Sequence, residues 1–293
     1  MSDTARLPDS APGSARGRSA AAAARWVLVT GGAKRLGREL CLAFARQGWQ
    51  VACHYHQSAD DAEAVVAQIA SAGGHAVAVA GPLHSEADAR ELFARALAQT
   101  GGRLDCVVNN ASLFEPDTAA DFAEETLWAQ MRTNLVVPVT LARLLHGLHA
   151  GGPAGAPAAS VVHVLDQKVF NLNPDYYSYT LSKLALERSV AQQAQALAPQ
   201  VRVNAVAPGL LFQSGPQTAE NFAAASHANL LRQPIDPAQV AQAAAFLAGN
   251  SCITGMSLCV DNGQHLVPTE RDIMFVAERV LEGAASATQG GRP

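Results

Sequence analysis

Long apolar runs, an excess of charge of one sign and cysteines at ligand spacing are all missing from this 293-residue chain. No apolar stretch reaches the ~20 residues that a membrane-crossing helix needs, so no membrane partner is expected. With 21 Lys+Arg against 25 Asp+Glu the net charge is −4, which leaves no basic face for nucleic acid. Any anionic ligand has to be held by local groups. The five cysteines (Cys41, Cys53, Cys106, Cys252 and Cys259) are odd in number and scattered, and they read as reduced core residues of a cytoplasmic protein. The nine histidines do not fall beside carboxylates at ligand intervals, and H-E-x-x-H is absent, so no metal centre is expected. The first 25 residues are rich in Ala, Ser, Pro and Arg but lack an apolar segment, and Asp3 and Asp9 speak against a transit peptide. They read as a disordered tail.

From Trp26 onward short β-branched runs alternate with Ala/Leu-rich helical patterns. The spacing predicts strands at Val27–Thr30, Gln50–Tyr55, His75–Ala80, Cys106–Asn109, Ser160–Leu165, Arg202–Ala207 and Ser257–Val260. Between them it predicts helices including Leu36–Gln47, Ala59–Ala72, Glu86–Thr100, Tyr179–Leu197 and Pro237–Ala248. Such alternation specifies an α/β fold, a single Rossmann-type doubly wound parallel sheet of about seven strands with helices on both faces. One domain over 26–267 follows, with a helical extension and flexible tail over 268–293. The Gly/Pro/Ala stretch His149–Ser160 reads as a surface loop, and the polar, poorly periodic Phe212–Leu231 as a mobile lid. In the extension Ile273, Met274, Phe275, Val276 and Val280 form an apolar stripe that fits either another subunit or the chain's own core.

The stretch "VLVTGGAKRLGREL" (Val27–Leu40) reads as a strand, a glycine turn and a helix, where free N–H groups and the helix dipole suit a phosphate. Gly31 and Gly37 stand where side chains would obstruct that approach. At the end of the second strand, where an NAD enzyme places an acid for the ribose hydroxyl, "ACHYHQS" has none. His54, His56 and Ser58, with Arg35 close by, offer a 2′-phosphate donors instead, which predicts NADP over NAD.

In "DYYSYTLSKLALE" Tyr179 and Lys183 lie on one helix face, so an ammonium can sit near a phenol and assist its proton transfer. Tyr176 and Tyr177 lack a lysine at that offset and are candidate pocket walls. Together with "NNAS" (Asn109–Ser112), Asn134 in "RTNLVVP", "APG" (Ala207–Gly209) and "ITG…VDNG" (Ile253–Gly263), these motifs make Trp26–Val267 resemble a short-chain dehydrogenase/reductase. The resemblance implies hydride transfer from a nicotinamide, Tyr179 as the acid, Lys183 on the ribose and the phenol, and Asn134 ordering a relay water. It implies cofactor contacts from Gly31, Arg35, Leu36, Gly37, His54, Tyr55, His56, Ser58, Leu83, Asn110, Ala111, Ser112, Lys183, Pro208 and Gly209. A homotetramer is the assembly it implies.

The chain departs from that pattern in two telling places. Arg35 replaces the middle glycine of T-G-x-x-x-G-x-G, and Asp166 in "HVLDQK" replaces the serine that ends the fifth strand. Serine polarises a carbonyl by donating a hydrogen bond, whereas a carboxyl beside a phenol forms a shared proton store, better suited to a ring nitrogen. With "TGGAKRLG" and "HYHQS", this set resembles the pteridine reductases and bacterial dihydromonapterin reductases. That implies NADPH and a pterin substrate, held by Arg35, Phe114, Asp166, Tyr179 and Leu210, with Phe114 stacking the flat ring. The lid with Gln167, Phe170 and Tyr177 would read its substituents. Gln57, Gly81-Pro82-Leu83 and Asn262 differ from the family at the cofactor end, so that only the backbone of Leu83 can border the adenine. Two other readings are a general carbonyl reductase or alcohol dehydrogenase, and a dinucleotide-binding scaffold without catalysis.

Overall fold

The computed structural model describes residues 25–151, 159–215 and 217–278. Most of the expected N-terminal tail, the middle of the His149–Ser160 loop, Val280 and the C-terminal tail lie outside the described residues. Seven parallel strands, β1 (Trp26–Val29), β2 (Gln50–Tyr55), β3 (Ala76–Ala80), β4 (Cys106–Asn109), β5 (Ala159–Val164), β6 (Val201–Pro208) and β7 (Ser257–Val260), form one sheet in the order β3-β2-β1-β4-β5-β6-β7. Register is pinned by pairs such as Val29↔Cys53, Val29↔Val108 and Val164↔Val206.

Alternate strand residues feed two cores. Val27, Val29, Val51, Val108, Val162 and Val206 meet helices α1 (Arg35–Arg46), α2 (Ala59–Ser71) and α8 (Pro237–Gly249) on one face. Leu28, Ala52, Val107, Val161 and Val203 meet α3 (Glu86–Gln99), α5 (Val137–His149) and α6 (Tyr177–Leu197) on the other. Helix α4 (Glu124–Met131) runs into α5 through a π-helical turn, Arg132–Val136, and α7 (Ala219–Ala225) follows β6. Both faces of the sheet are thus covered, as a parallel sheet requires. The strand order reverses between β1's two neighbours, β2 and β4, which opens a crevice at the carboxyl ends of these strands.

One expectation needs correction. Cys41, Cys53 and Cys106 are buried, but Cys252 is exposed in the turn before β7, so it is not a core residue. Within the 212–231 segment lies α7, capped by Thr218 accepting from the Asn221 N–H. The apolar stripe of the extension packs on its own chain, Ile273 and Ala277 lying against Ala225. No helix among the described residues is long and apolar enough to cross a membrane.

Candidate active site

The crevice holds a cavity of about 600 Å³ whose floor is the carboxyl edge of the sheet. At its β1 end, Gly31 turns with φ +62°, and a Cβ on Gly37 would lie 1.9 Å from the Gly31 carbonyl oxygen. Only glycine fits there. Among the described residues no side chain caps helix α1 and no acidic residue stands in its first turn, so its start is open towards the cavity. The Asn110 amide donates to the carbonyls of Thr30 and Gly31 at 2.9 and 3.1 Å, tying the loop after β4 to the turn.

Arg35 has a left-handed backbone, φ +48°, a conformation that favours glycine. Its guanidinium crosses the cavity mouth, donating to the Gln213 carbonyl at 3.2 Å and facing the Phe212 ring at 5.9 Å. The arginine therefore joins the nucleotide turn to the segment that precedes α7.

The histidine segment behaves differently from expectation. His54 is 3% exposed, its Nδ1 accepts from the Gly31 N–H at 2.9 Å, and its Nε2 pairs with the Gly81 carbonyl at 3.0 Å. Since Gly31 donates to Nδ1, the proton resides on Nε2 and both nitrogens are used. Burial lowers its pKa to about 4. His54 is thus a neutral brace of the turn and offers nothing to a phosphate. Tyr55 and Ser58 are not among the residues lining the cavity; Tyr55 packs against the core. His56 does line it, with His84, at a ring separation of 5.4 Å. Leu36, Leu83, Ala111 and Ser112 border the same space, as do Pro208, Gly209 and Leu210. A Cβ on Gly209 would meet Gln264 Oε1 at 2.4 Å, so a larger residue there would have to move that side chain, which accepts from the Leu210 N–H.

At the opposite end, helix α6 begins where the Ser178 N–H donates to Asp117 Oδ1 at 3.0 Å. It presents Tyr179 and Lys183 to the end of β5. The Tyr179 hydroxyl donates to Asp166 Oδ2 at 2.9 Å. Burial raises the Asp166 carboxyl above the usual carboxylate range, and burial with the neighbouring carboxyl pushes the phenol well above 10. Lys183 is 3% exposed; its ammonium donates to the Val164 carbonyl at 2.8 Å and lies 5.7 Å from the Tyr179 ring centre, and burial lowers its pKa to about 8. The lysine accordingly flanks the phenol, and the direct partner of the hydroxyl is Asp166.

Asn134 sits in the π-helical turn. Its Oδ1 accepts from the Ser112 hydroxyl and the Leu113 N–H, and its amide donates to the Leu113 carbonyl and the Ser182 hydroxyl, at 2.8–3.0 Å. The side-chain amide is saturated, so its part is to tie the Phe114 loop to α6. Phe114 lines the cavity and is 39% exposed, with Tyr176 stacked on one face at 4.1 Å and Tyr179 edge-on at 4.7 Å. Neither Tyr176, buried behind Phe114, nor Tyr177, which meets Phe122, lines the cavity. Of the residues expected to read substituents, Gln167 lines it and Phe170 does not. Sequence reasoning missed Lys34, His84, Lys168, Gln264, Asp272 and Ile273, all on the cavity wall. A basic residue just beyond Asp166 was the one visible hint among them.

A family model described as enoyl-(acyl carrier protein) reductase matches residues 31–265. The chain belongs to the short-chain dehydrogenase/reductase family. Within it, the chain is of the pteridine-reductase-like kind. It is similar to alternative dihydrofolate reductase 1 of Brucella canis, solved in complex with NADP, at 36% identity and a TM-score of 0.77, over 85% of this chain and 97% of that one. It is 27% identical to the dihydromonapterin reductase of Citrobacter koseri over 242 residues, 82% of this chain and 96% of the relative. An angucycline C-6 ketoreductase with bound NADP shares 27% identity at a TM-score of 0.74, covering 83% of this chain and 96% of that one. This short-chain dehydrogenase/reductase is accordingly an oxidoreductase whose Asn-Tyr-Lys set is complete and whose serine is an aspartate.

Proposed function

We propose that the chain is an NADPH-dependent reductase of dihydropterins, of the dihydromonapterin, dihydrobiopterin or dihydrofolate kind, acting on the C=N bond of the pyrazine ring. The observation that carries this reading is the 2.9 Å hydrogen bond between Tyr179 and Asp166 beside the exposed ring of Phe114. The cofactor fits the residues present: the Gly31–Gly37 turn and the uncapped start of α1 suit a pyrophosphate, and Lys34, His56 and His84 on the same cavity wall would offer donors to a further phosphate. When bound, a reduced nicotinamide supplies the hydride. Phe114 offers a flat apolar wall that orients a conjugated heterocycle. Asp166 and Tyr179, two acids with pKa values above their ordinary ones, hold a proton near neutrality for delivery to a ring nitrogen. Lys183 keeps a cation beside the phenol. Arg35, bound across the mouth, faces both the phosphate end and the substrate end.

The test is cofactor oxidation with a panel of dihydropterins and ketones, with NADPH and NADH, in wild type and Asp166→Ser. Pterin turnover that prefers NADPH and falls at least ~100-fold in the variant is expected. Undiminished pterin turnover in Asp166→Ser would remove that residue from the reaction. Turnover of ketones or acyl thioesters with none of pterins would make the chain a carbonyl reductase, the activity named for the angucycline relative.

A further inference from the structure

Behind the Asp166–Tyr179 pair lies an ion pair that the proposed reaction does not use. Asp166 spends Oδ2 on Tyr179 and Oδ1 on the backbone N–H of Lys168, at 2.8 Å. The side chain of Lys168 is 3% exposed, and its ammonium donates to Asp272 Oδ2 at 2.8 Å and to the Asp175 carbonyl at 3.1 Å. The same ammonium lies 5.0 Å from the centre of the Tyr176 ring, which backs Phe114. One cation therefore touches the C-terminal segment, the turn that opens α6 and the support of the stacking wall. Burying a lysine is costly unless it is paired, and an apolar side chain would fill the space without that cost.

The partner segment is itself anchored. Arg271 binds the Asp175 carboxylate, the Asp272 N–H donates to Asp175 Oδ2 at 2.7 Å, and Asn221 of α7 donates to the Met274 carbonyl at 2.9 Å. Asp272 is thereby held at the cavity wall between the catalytic loop and the segment carrying α7.

We propose that Lys168 and Asp272 are positioning residues for the proton-handling pair: their ion pair aims the Asp166 carboxyl at Tyr179 and balances the charge around it, one cation against one anion. This rests on the reductase reading above. The groups facing Asp166 are Lys168 from its own segment, Tyr179 and Lys183 from α6, and Asp272 from the C-terminal segment, with Asp175 and Arg271 neutralising each other behind it. Burial raises the Asp166 carboxyl, Lys168 draws it down and Asp272 pushes it up. Removing either partner alone tips that balance, in opposite directions.

The experiment is the pH profile of kcat for dihydropterin reduction by the full chain, read on the alkaline limb where the pair loses its proton. Asp272→Asn leaves the cation unopposed and is expected to move that limb to lower pH, by roughly one unit. Lys168→Met leaves the anion unopposed and should move it to higher pH by a similar amount, while the double variant returns it near the wild-type position. Should Lys168→Met not fold, the acid-ward shift in Asp272→Asn, a side chain 23% exposed, decides alone. Loss of kcat with an unmoved limb, or shifts of the same sign in both single variants, would overturn the proposal. A wild type that reduces ketones and no pterin would refute the pterin reading instead, and the limb is then measured with the ketone.

Discussion

Lowering the pH from 7 to 5 is expected to cost the fold about 4 kcal/mol through two buried imidazoles, His54 and His163. They are 3% and 0% exposed, and burial takes each from 6.5 to about 4. The physical reason is explicit at His54. Its Nδ1 lone pair accepts from Gly31 at 2.9 Å, so a proton there would set two N–H groups head to head. His163, on β5, pairs through Nδ1 with the Asn109 amide at 3.1 Å in the sheet interior. A depressed imidazole pKa means that the unfolded chain takes up a proton the folded chain refuses. The stabilising contribution is complete above pH 6.5 and is lost as pH falls towards 4. A shift of about 2.5 units amounts to about 3.4 kcal/mol per histidine in the limit, of which about 2 kcal/mol is gone by pH 5. The assay is denaturant unfolding at both pH values for wild type, His54→Asn and His163→Asn. Each variant is expected to lose about 2 kcal/mol of the pH dependence, whatever its stability at pH 7. Comparing variant with wild type cancels Asp166, whose raised pKa acts in the opposite sense. Variants that keep the full wild-type slope would refute the neutral-brace assignment. The same variant separates the two roles of His54. As a brace its loss weakens NADPH and NADH binding alike; as a phosphate ligand it would weaken NADPH alone.

Two substitutions probe the glycine turn. Gly37→Ala places a Cβ 1.9 Å from the Gly31 carbonyl and should weaken NADPH binding, followed by fluorescence titration, by ~100-fold or more, whereas Gly147→Ala on α5, with nothing within 4 Å of its Cβ, should leave binding unchanged. Arg35→Gly and Arg35→Ala both remove the bond to Gln213 and should raise the pterin KM, but glycine alone relieves the φ of +48°; it is expected to melt above the alanine variant by about 1 kcal/mol, or ~2–4 °C. An unchanged pterin KM in both would remove Arg35 from substrate binding.

How much of this was legible depended on whether a feature is local. The alternation of apolar runs placed all seven strands to within a residue or so at each end, because a parallel strand buried on both faces writes a continuous apolar signature. The turn was legible through Gly31 and Gly37, and the Tyr179–Lys183 face through its helical spacing. Helix α7 was not, since a short Ala-rich helix held by Thr218 and by Asn221 reaching Met274 carries little periodicity of its own. The role of His54 was misjudged for a related reason. It is a polar residue near a nucleotide turn, and only the loop geometry shows both ring nitrogens already taken by Gly31 and Gly81.

Arg35 and Lys168 mark the limit of that legibility from two sides. Arg35 was visible as a missing glycine, yet the sequence could not say that the backbone would keep the left-handed conformation while the guanidinium spanned the mouth to Gln213. A left-handed arginine costs about 1 kcal/mol relative to glycine, and the bond it makes to the Gln213 carbonyl is what stands against that cost. The role of Lys168 was not legible, because its partner lies 104 residues away in the C-terminal segment. The same reasoning applies to it. A buried ion pair that a pair of apolar groups could replace at little cost persists where its charge acts on a neighbour, and the neighbour that the Lys168 backbone N–H grips is the carboxyl of Asp166. The site is thus built from both ends of the chain: a turn near the N-terminus that lends its charge to the mouth, and a segment near the C-terminus that sets the charge around the acid.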